Sequence, residues 1–477
     1  MGAFTRYSLA ALCGVLATAT LPPVHLFFLL VPAFSGLFYL LWNVKTKRQA
    51  FFTGWWFGLG YFTSGLYWFA HALLVEPDKF AWMIPFAVLG MPSILGIYYG
   101  LCTLLTHWLR QKFALRAMIT IFLFALLWLV TEWLRGHLFT GFPWNLISYA
   151  WGVSEPMMQW VYLIGSYNYA AWTVLLSTLP VVWFLTDNSR QRTVALSLSL
   201  LMVSIPFTYG TWRLNTNPTE YTEYQLHVVQ GNIAQQHKWQ PDKQYDAVKT
   251  YASLTQKEEV ADDAIVIWPE TAFPYFLEAQ TPPVKFVADS LPKRGVLLTG
   301  AMRAEWNEGR KGIKSFFNSV HAVRPDGMLE TSYDKVRLVP FGEFVPFRGI
   351  LPVEKITHGM QDFVRGEGAM SLQVKGIPPF QPLVCYETIF PEFKTEGSEW
   401  LLNATNDAWF GESAGPYQHL QMARFRAVEQ GIPMVRAANT GISAVFDSYG
   451  RELARLPLGE RGTITMLLPK PARILEK

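Results

Sequence analysis

Apolar positions run almost without interruption through the first 216 residues and then break into short bursts separated by polar and Gly/Pro clusters. A helix needs roughly 20 apolar residues to cross the hydrocarbon core of a bilayer. Runs of that kind fall at 8–24, 25–42, 51–74, 80–109, 115–133, 157–185 and 194–211, which predicts about seven spans. The first two run together at "LPPVHLF", where Pro22 and Pro23 mark the expected turn between them.

From residue 221 onward the pattern changes to "YQLHVVQGNI", "DAIVIWPE", "RGVLLTGAM", "SFFNSVHAV", "QPLVCYE", "SEWLLNATND" and "GIPMVRAAN". These bursts have the length and β-branched content of strands and are too short to span a membrane. "RPDGML" and "DSYGRE" read as hairpin turns. Helical patterns intervene near 242–260, 282–290 and 417–430, so the second half is expected to be an α/β domain of about 250 residues. The expected boundaries are 1–216 for the helical membrane domain, 217–468 for the α/β domain and 469–477 for a C-terminal tail.

Charge sharpens this division. Of the 76 Lys, Arg, Asp and Glu residues, only 17 precede Asn217. Lys45, Lys47, Arg48, Arg110, Lys112, Arg116, Arg190 and Arg192 fall in alternate loops, whereas the opposite loops hold Lys79 and Arg135. Basic loops stay cytoplasmic. With the N-terminus inside and an odd number of spans, the α/β domain is expected on the far side, which in a bacterium is the periplasm. The net charge of +4 is explained by the cytoplasmic loops, so nucleic acid is not an expected partner.

Three stretches of the second half bring chemically capable residues to strand ends. "AIVIWPE" ends at Glu270, "QPLVCYE" runs into Cys385, and "TSYDKVRLVPFGE" carries Lys335 just before another apolar run. Ligand sites of α/β sheets favour the carboxyl ends of strands. Each residue also has an ordinary alternative: an exposed turn carboxylate, a solvated edge lysine, or a buried packing cysteine. The other two cysteines, Cys13 and Cys102, lie in expected spans and cannot pair with Cys385, which leaves a lone thiol on an oxidising side. Such a thiol attacks a carbonyl once a carboxylate accepts its proton and a cation favours the thiolate. Glu270 and Lys335 suit those tasks, and the backbone N–H of Tyr386 is a candidate second donor to the oxyanion.

"WPE" at a strand end, "DKVRLVPFGEFVPF" and "LVCYE" resemble the carbon–nitrogen hydrolase, or nitrilase-like, superfamily. Together with the preceding spans, "VVQGNI", "VPFGEFVPF" and "NATNDAWFG" make the chain similar to the apolipoprotein N-acyltransferases of Gram-negative bacteria. The resemblance covers nearly the whole chain. It implies a multi-span α-helical membrane domain plus an α/β nitrilase-like sandwich (αββα) domain, in the inner membrane with the catalytic domain facing the periplasm. It also implies Glu270 as general base, Lys335 as oxyanion stabiliser and Cys385 as nucleophile, with Trp239, Glu343, Tyr386 and Glu387 as active-site support. Glu343 would hold Lys335 or the base through a charged hydrogen bond.

The implied donor is a membrane phospholipid, typically phosphatidylethanolamine. The implied acceptor is the α-amino group of the diacylglyceryl-cysteine at the N-terminus of an apolipoprotein, and no cofactor is required. "FPYF", "FGEFVPF" and "AWFG" would place rings near the bilayer, so Phe341, Phe344, Phe347 and Trp409 are candidate lipid contacts. The irregular stretch 341–368 is the expected lid, and Trp144 in "GHLFTGFPWN" the expected floor beneath the pocket.

Metal chemistry is not expected, because the histidines show no paired-ligand spacing and Cys385 no CxxC partner. No nucleotide-binding glycine motif is present. The resemblance further implies a last transmembrane helix after the α/β domain, which is absent from "TITMLLPKPARILEK". Two other functions use the same elements: a membrane-anchored amidase with water as acceptor, and a non-catalytic lipid-binding scaffold.

Overall fold

Among the described residues of the computed structural model, four helices are long and apolar enough to cross a membrane: Pro77–Lys112, Ala117–His137, Val161–Leu185 and Ser189–Thr216. The expected runs 8–24, 25–42 and 51–74 correspond to three further helices. Ala3–Thr18 and Phe27–Trp42 are apolar but shorter, and Lys47–Leu66 opens on Lys47 and Arg48. Residues 19–24, around Pro22 and Pro23, form the turn after the first helix. The structure describes residues 1–238, 240, 242–279, 281–307, 312–346, 355–356 and 361–472. By internal contacts the chain divides into Met1–Thr216 and Asn217–Lys477.

Close backbone approach holds the helical unit together, as expected where apolar burial between helices contributes little. A Cβ at Gly54 would lie 2.2 Å from the Tyr99 carbonyl, so the helices Lys47–Leu66 and Met91–Lys112 can meet only through glycine there. One end of this unit is basic: Arg110 donates to the Trp42 carbonyl (2.7 Å) and stacks on that ring, while Lys47 and Lys112 flank Trp108.

Arg135 departs from its reading as a loop charge. It lies inside Ala117–His137, buried, with Nη2 2.5 Å from Glu132 Oε2 and Nη1 on the carbonyls of Phe142 and Trp144. Carbonyls of a non-helical turn need donors, and the buried guanidinium supplies them. Trp144 is itself buried against Trp68, with centroids 4.8 Å apart.

The second unit contains two sheets. The first has the order β11-β1-β2-β3-β4-β5: β1 (Tyr221–Gln230), β2 (Ile265–Ile267), β3 (Val296–Trp306), β4 (Ile313–Val323), β5 (Leu329–Asp334) and β11 (Gly462–Pro469). β1, β2 and β3 are parallel, and the remaining pairs antiparallel. The second has the order β10-β9-β8-β7-β6: β6 (Phe380–Val384), β7 (Trp400–Thr405), β8 (Met434–Ala438), β9 (Ser443–Phe446) and β10 (Glu452–Leu456). Here β6, β7 and β8 are parallel.

Val228, Ile267 and Leu298 of the first sheet pack with Val384, Leu402 and Val435 of the second. The helices Gln244–Thr255 and Pro282–Ser290 cover the outer face of the first sheet, and Ala414–Gln430 packs on β8. The layering is helix–sheet–sheet–helix. The runs read as strands all form strands, and both hairpin turns join antiparallel neighbours, β4 to β5 and β9 to β10. The run after Lys335 is the exception: 336–339 is not a strand, and Lys335 instead follows β5 directly.

Candidate active site

Three strand ends of the α/β unit bear the acid, the cation and the thiol. Glu270 lies three residues beyond β2, Lys335 one beyond β5, and Cys385 one beyond β6. All three are buried. Lys335 Nζ is 3.5 Å from Glu270 Oε1 and 2.9 Å from Glu343 Oε2. Asn318 of β4 bridges the carboxylates, its Nδ2 donating to Glu270 Oε1 (2.7 Å) and Glu343 Oε1 (2.8 Å). The backbone N–H of Val339 holds the other oxygen of Glu343 (2.8 Å). Gly300 of β3 is what lets the Glu270 segment sit so close, since a Cβ there would meet the Glu270 Cα at 2.6 Å.

Cys385 sits at φ 48°, in the left-handed region that costs a non-glycine residue energy. The surrounding structure holds it there. Glu387, two residues on, accepts from the N–H of Val384 (2.8 Å), Val336 (2.7 Å) and Arg337 (3.1 Å) and from the Tyr333 hydroxyl (2.9 Å). It thereby ties the turn after β6 to the segment that carries Lys335. Burial pushes its carboxyl up to about 7, against those three backbone donors.

On the other side, His419 Nε2 is 3.1 Å from the Cys385 carbonyl, and its Nδ1 is 2.9 Å from Asp407 Oδ1. Arg436 holds the second oxygen of Asp407 at 2.5 Å. Burial and Arg436 keep His419 below its ordinary pKa.

The electrostatics define the resting state. Burial and the charge of Glu270 raise the Cys385 pKa, against the pull of Lys335, so the resting group is a thiol. Burial works against the Lys335 ammonium, but Glu343, Glu270 and Cys385 outweigh it and hold the lysine above its ordinary range. A buried thiol with a carboxylate and a permanent cation in electrostatic reach can lose its proton inside the site and attack a carbonyl.

Tyr386 is buried, its ring edge-on to Phe390 at 5.1 Å. Phe341 is exposed at φ 62°, Phe344 is half-buried with Arg365 over its ring, and Trp409 is half-buried. The irregular stretch is tied down where described: Phe363 N donates to the Glu343 carbonyl (2.9 Å), and Gly366 N to the Lys335 carbonyl (2.9 Å). Trp239, Phe347 and most of 347–360 lie outside the described residues. Asn318, Asp407, His419 and Lys238 were not singled out in the sequence. The strand "SFFNSVHAV" mixes Ser315, Asn318, Ser319 and His321 with its apolar positions, so Asn318 carries no signal of its own.

Two family models cover both units: the apolipoprotein N-acyltransferase N-terminal domain matches residues 13–179, and carbon–nitrogen hydrolase matches residues 226–471. An apolipoprotein N-acyltransferase of Rhodopseudomonas palustris is 39% identical over 492 residues, covering 98% of this chain and 90% of the relative. The chain belongs to the apolipoprotein N-acyltransferase family. One from Brucella melitensis is 37% identical with the same coverage. A solved amidase from Nesterenkonia sp. aligns with 52% of this chain and 92% of its own length, at 20% identity and a TM-score of 0.38. In this family the helical unit is a membrane domain and the α/β unit a carbon–nitrogen hydrolase fold.

Proposed function

We propose that the protein moves an acyl chain from a membrane phospholipid, phosphatidylethanolamine foremost, to the α-amino group of the diacylglyceryl-cysteine at the N-terminus of an apolipoprotein. The observation that carries the reading is the buried group of Glu270, Lys335, Glu343 and Asn318, electrostatically coupled to a lone cysteine on a strained turn. Family membership supplies the substrates.

In the first half-reaction Glu270 takes the Cys385 proton as sulfur attacks the ester carbonyl of the phospholipid. Lys335 and the backbone N–H of Tyr386 stabilise the oxyanion. The carbon–oxygen bond breaks, Glu270 returns the proton to the leaving alkoxide, and lysophospholipid departs from a thioester. In the second half the acceptor amine attacks that thioester, Glu270 takes its proton, and the amide forms as the thiolate leaves and is reprotonated. Glu343 and Asn318 hold the cation and the base in register throughout. Glu387 and Tyr386 support the nucleophile turn, and Trp239 is assigned to the same site by family resemblance.

Phe341, Phe344, Phe347 and Trp409 are the proposed lipid-contacting rings, with 341–368 as the lid, whereas Trp144 is buried against Trp68 and is not among them. The basic end of the helical unit supports an inner-membrane orientation with that end cytoplasmic and the α/β unit in the periplasm. Intact-mass measurement after incubation with phospholipid tests the chemistry. A long-chain acyl adduct lost in Cys385→Ala supports it. Steady release of free fatty acid with no transfer to an amine acceptor indicates a hydrolase, and no adduct at all indicates a scaffold.

A further inference from the structure

The acyl-transfer scheme gives no task to Lys238, a buried cation beside the base. Lys238 ends the short helix Gln235–Lys238 and is 3% exposed. Its Nζ donates to the Glu270 main-chain carbonyl (3.1 Å) and to Thr271 Oγ1 (2.5 Å), both neutral acceptors. Among the described residues no carboxylate lies within ion-pairing distance of it. A buried ammonium without such a partner is costly, so its retention calls for a compensating interaction.

Two geometric facts indicate what that interaction is. The residues it grips are the base itself and Thr271, a β-branched residue held at φ 44°. Such a conformation persists only when neighbouring groups impose it. The charges that act on the ammonium are those of Glu270 and Cys385, and burial brings its pKa down to about 8 against them. Around that pair stand Lys335 and Glu343, with Asp407 acting on the thiol from the end of β7 and neutralised by Arg436. Gln235, on the lysine's own helix, is engaged with Asn406.

Glu270 and Glu343 carry two negative charges and Lys335 one positive. With Lys238 the group is neutral, and without it the group is one negative charge in excess. When the thiol proton passes to Glu270, the negative charge moves from carboxylate to sulfur and stays within reach of Lys238.

Building on the acyl-transfer reading above, we propose that Lys238 is a second cationic positioning residue of the site. Its hydrogen bonds fix the strained loop that presents Glu270, and its charge balances the negative charge that passes between Glu270 and Cys385. Lys335 faces the carboxylate pair from β5, whereas Lys238 secures the base from its backbone side. The two lysines are not redundant.

The test is the pH dependence of Cys385 alkylation by iodoacetamide in the purified full-length protein, with Cys385→Ala as the background. Lys238→Met, similar in volume, should move the midpoint of the labelling curve upward by about 1 unit, the lower end of what a nearby opposite charge contributes. Thr271→Val removes a hydrogen bond but no charge. It should leave the midpoint in place while slowing acyl transfer.

A Lys238→Met midpoint equal to that of the unaltered protein overturns the proposal, as does a shift of the same size in Thr271→Val. Should Lys238→Met not fold, Lys238→Gln, which keeps a polar head without the charge, takes its place, and an unshifted Lys238→Gln midpoint overturns the proposal in the same way. Failure of the acyl-transfer reading has a different signature: Cys385 alkylates normally, yet no acyl adduct forms with phospholipid in the unaltered protein.

Discussion

Each unit of the molecule buries a cluster of acid and base, and the two clusters differ in what is left over. In the helical unit, Glu132 and Arg135 pair at 2.5 Å, the Tyr99 hydroxyl occupies the other carboxylate oxygen at 2.5 Å, and the spare guanidinium nitrogen serves the Phe142 and Trp144 carbonyls. One charge meets one charge, and Nη1 is spent on backbone, while Nε is buried without a hydrogen-bond partner among the described residues. In the α/β unit, two carboxylates share Lys335, a neutral amide bridges them, and a second lysine stands nearby without an ion pair. The first arrangement suits architecture. The second keeps charge available to a reacting atom and suits chemistry.

Substitutions that separate stability from chemistry test this contrast. The largest effect is expected at the reacting group: Cys385→Ala should form no acyl-enzyme, and Lys335→Ala should lower transfer per folded molecule about 10² to 10³-fold, the typical cost of one oxyanion donor. Radiolabelled acyl transfer in detergent micelles reads both, and a near-normal Lys335→Ala rate removes that lysine from the scheme.

Arg135→Ala should do the opposite. Leaving Glu132 buried and unpaired costs about 3 to 5 kcal/mol, visible as earlier thermal unfolding in detergent. Labelling of Cys385 in the fraction that remains folded should be unchanged. Equal loss of both in the two variants would erase the distinction between the clusters.

A subtler effect is expected at Lys238. Its pKa, brought down to about 8 by burial, lies below that of the unfolded chain, 10.5. Between those values the unfolded state binds more protons, so stability rises with pH there; below about pH 8 the full cost of burying the ammonium is present. Lys238→Met should therefore unfold at higher temperature than the unaltered protein at pH 7, with the advantage shrinking as pH climbs from about 8 towards 10.5. A constant difference across that window would mean that the lysine does not titrate as its surroundings demand.

Much of the architecture was legible because periodicity is local. The apolar runs of the first 216 residues produce helices that leave Phe86, Phe122 and Phe184 exposed, as a lipid-facing surface requires, while the strands of the second unit bury most of theirs. Glu270 and Cys385 stood out because each follows an apolar strand without a break. Lys335 was found for a partly mistaken reason: the stretch that matters is β5 before it, which carries the mixed pattern "LETSYD", rather than the apolar run after it.

Arg135 was misplaced because nothing in its neighbours along the chain shows that a turn several residues ahead folds back onto it. Asn318, His419, Asp407 and Lys238 were out of reach for the same reason. A polar residue in a strand or helix looks solvent-facing until the sheets are stacked. The order of β3, β4 and β5 brings Asn318 between two glutamates, and the helix Ala414–Gln430 delivers His419 to the carbonyl of a cysteine 34 residues earlier. Sequence by itself determined the elements and the two most exposed clues to the chemistry, because backbone hydrogen bonding and side-chain period act over a few residues. Only the tertiary structure decided which charges meet, because Coulomb interaction and desolvation depend on distance through space and burial, neither of which is written along the chain.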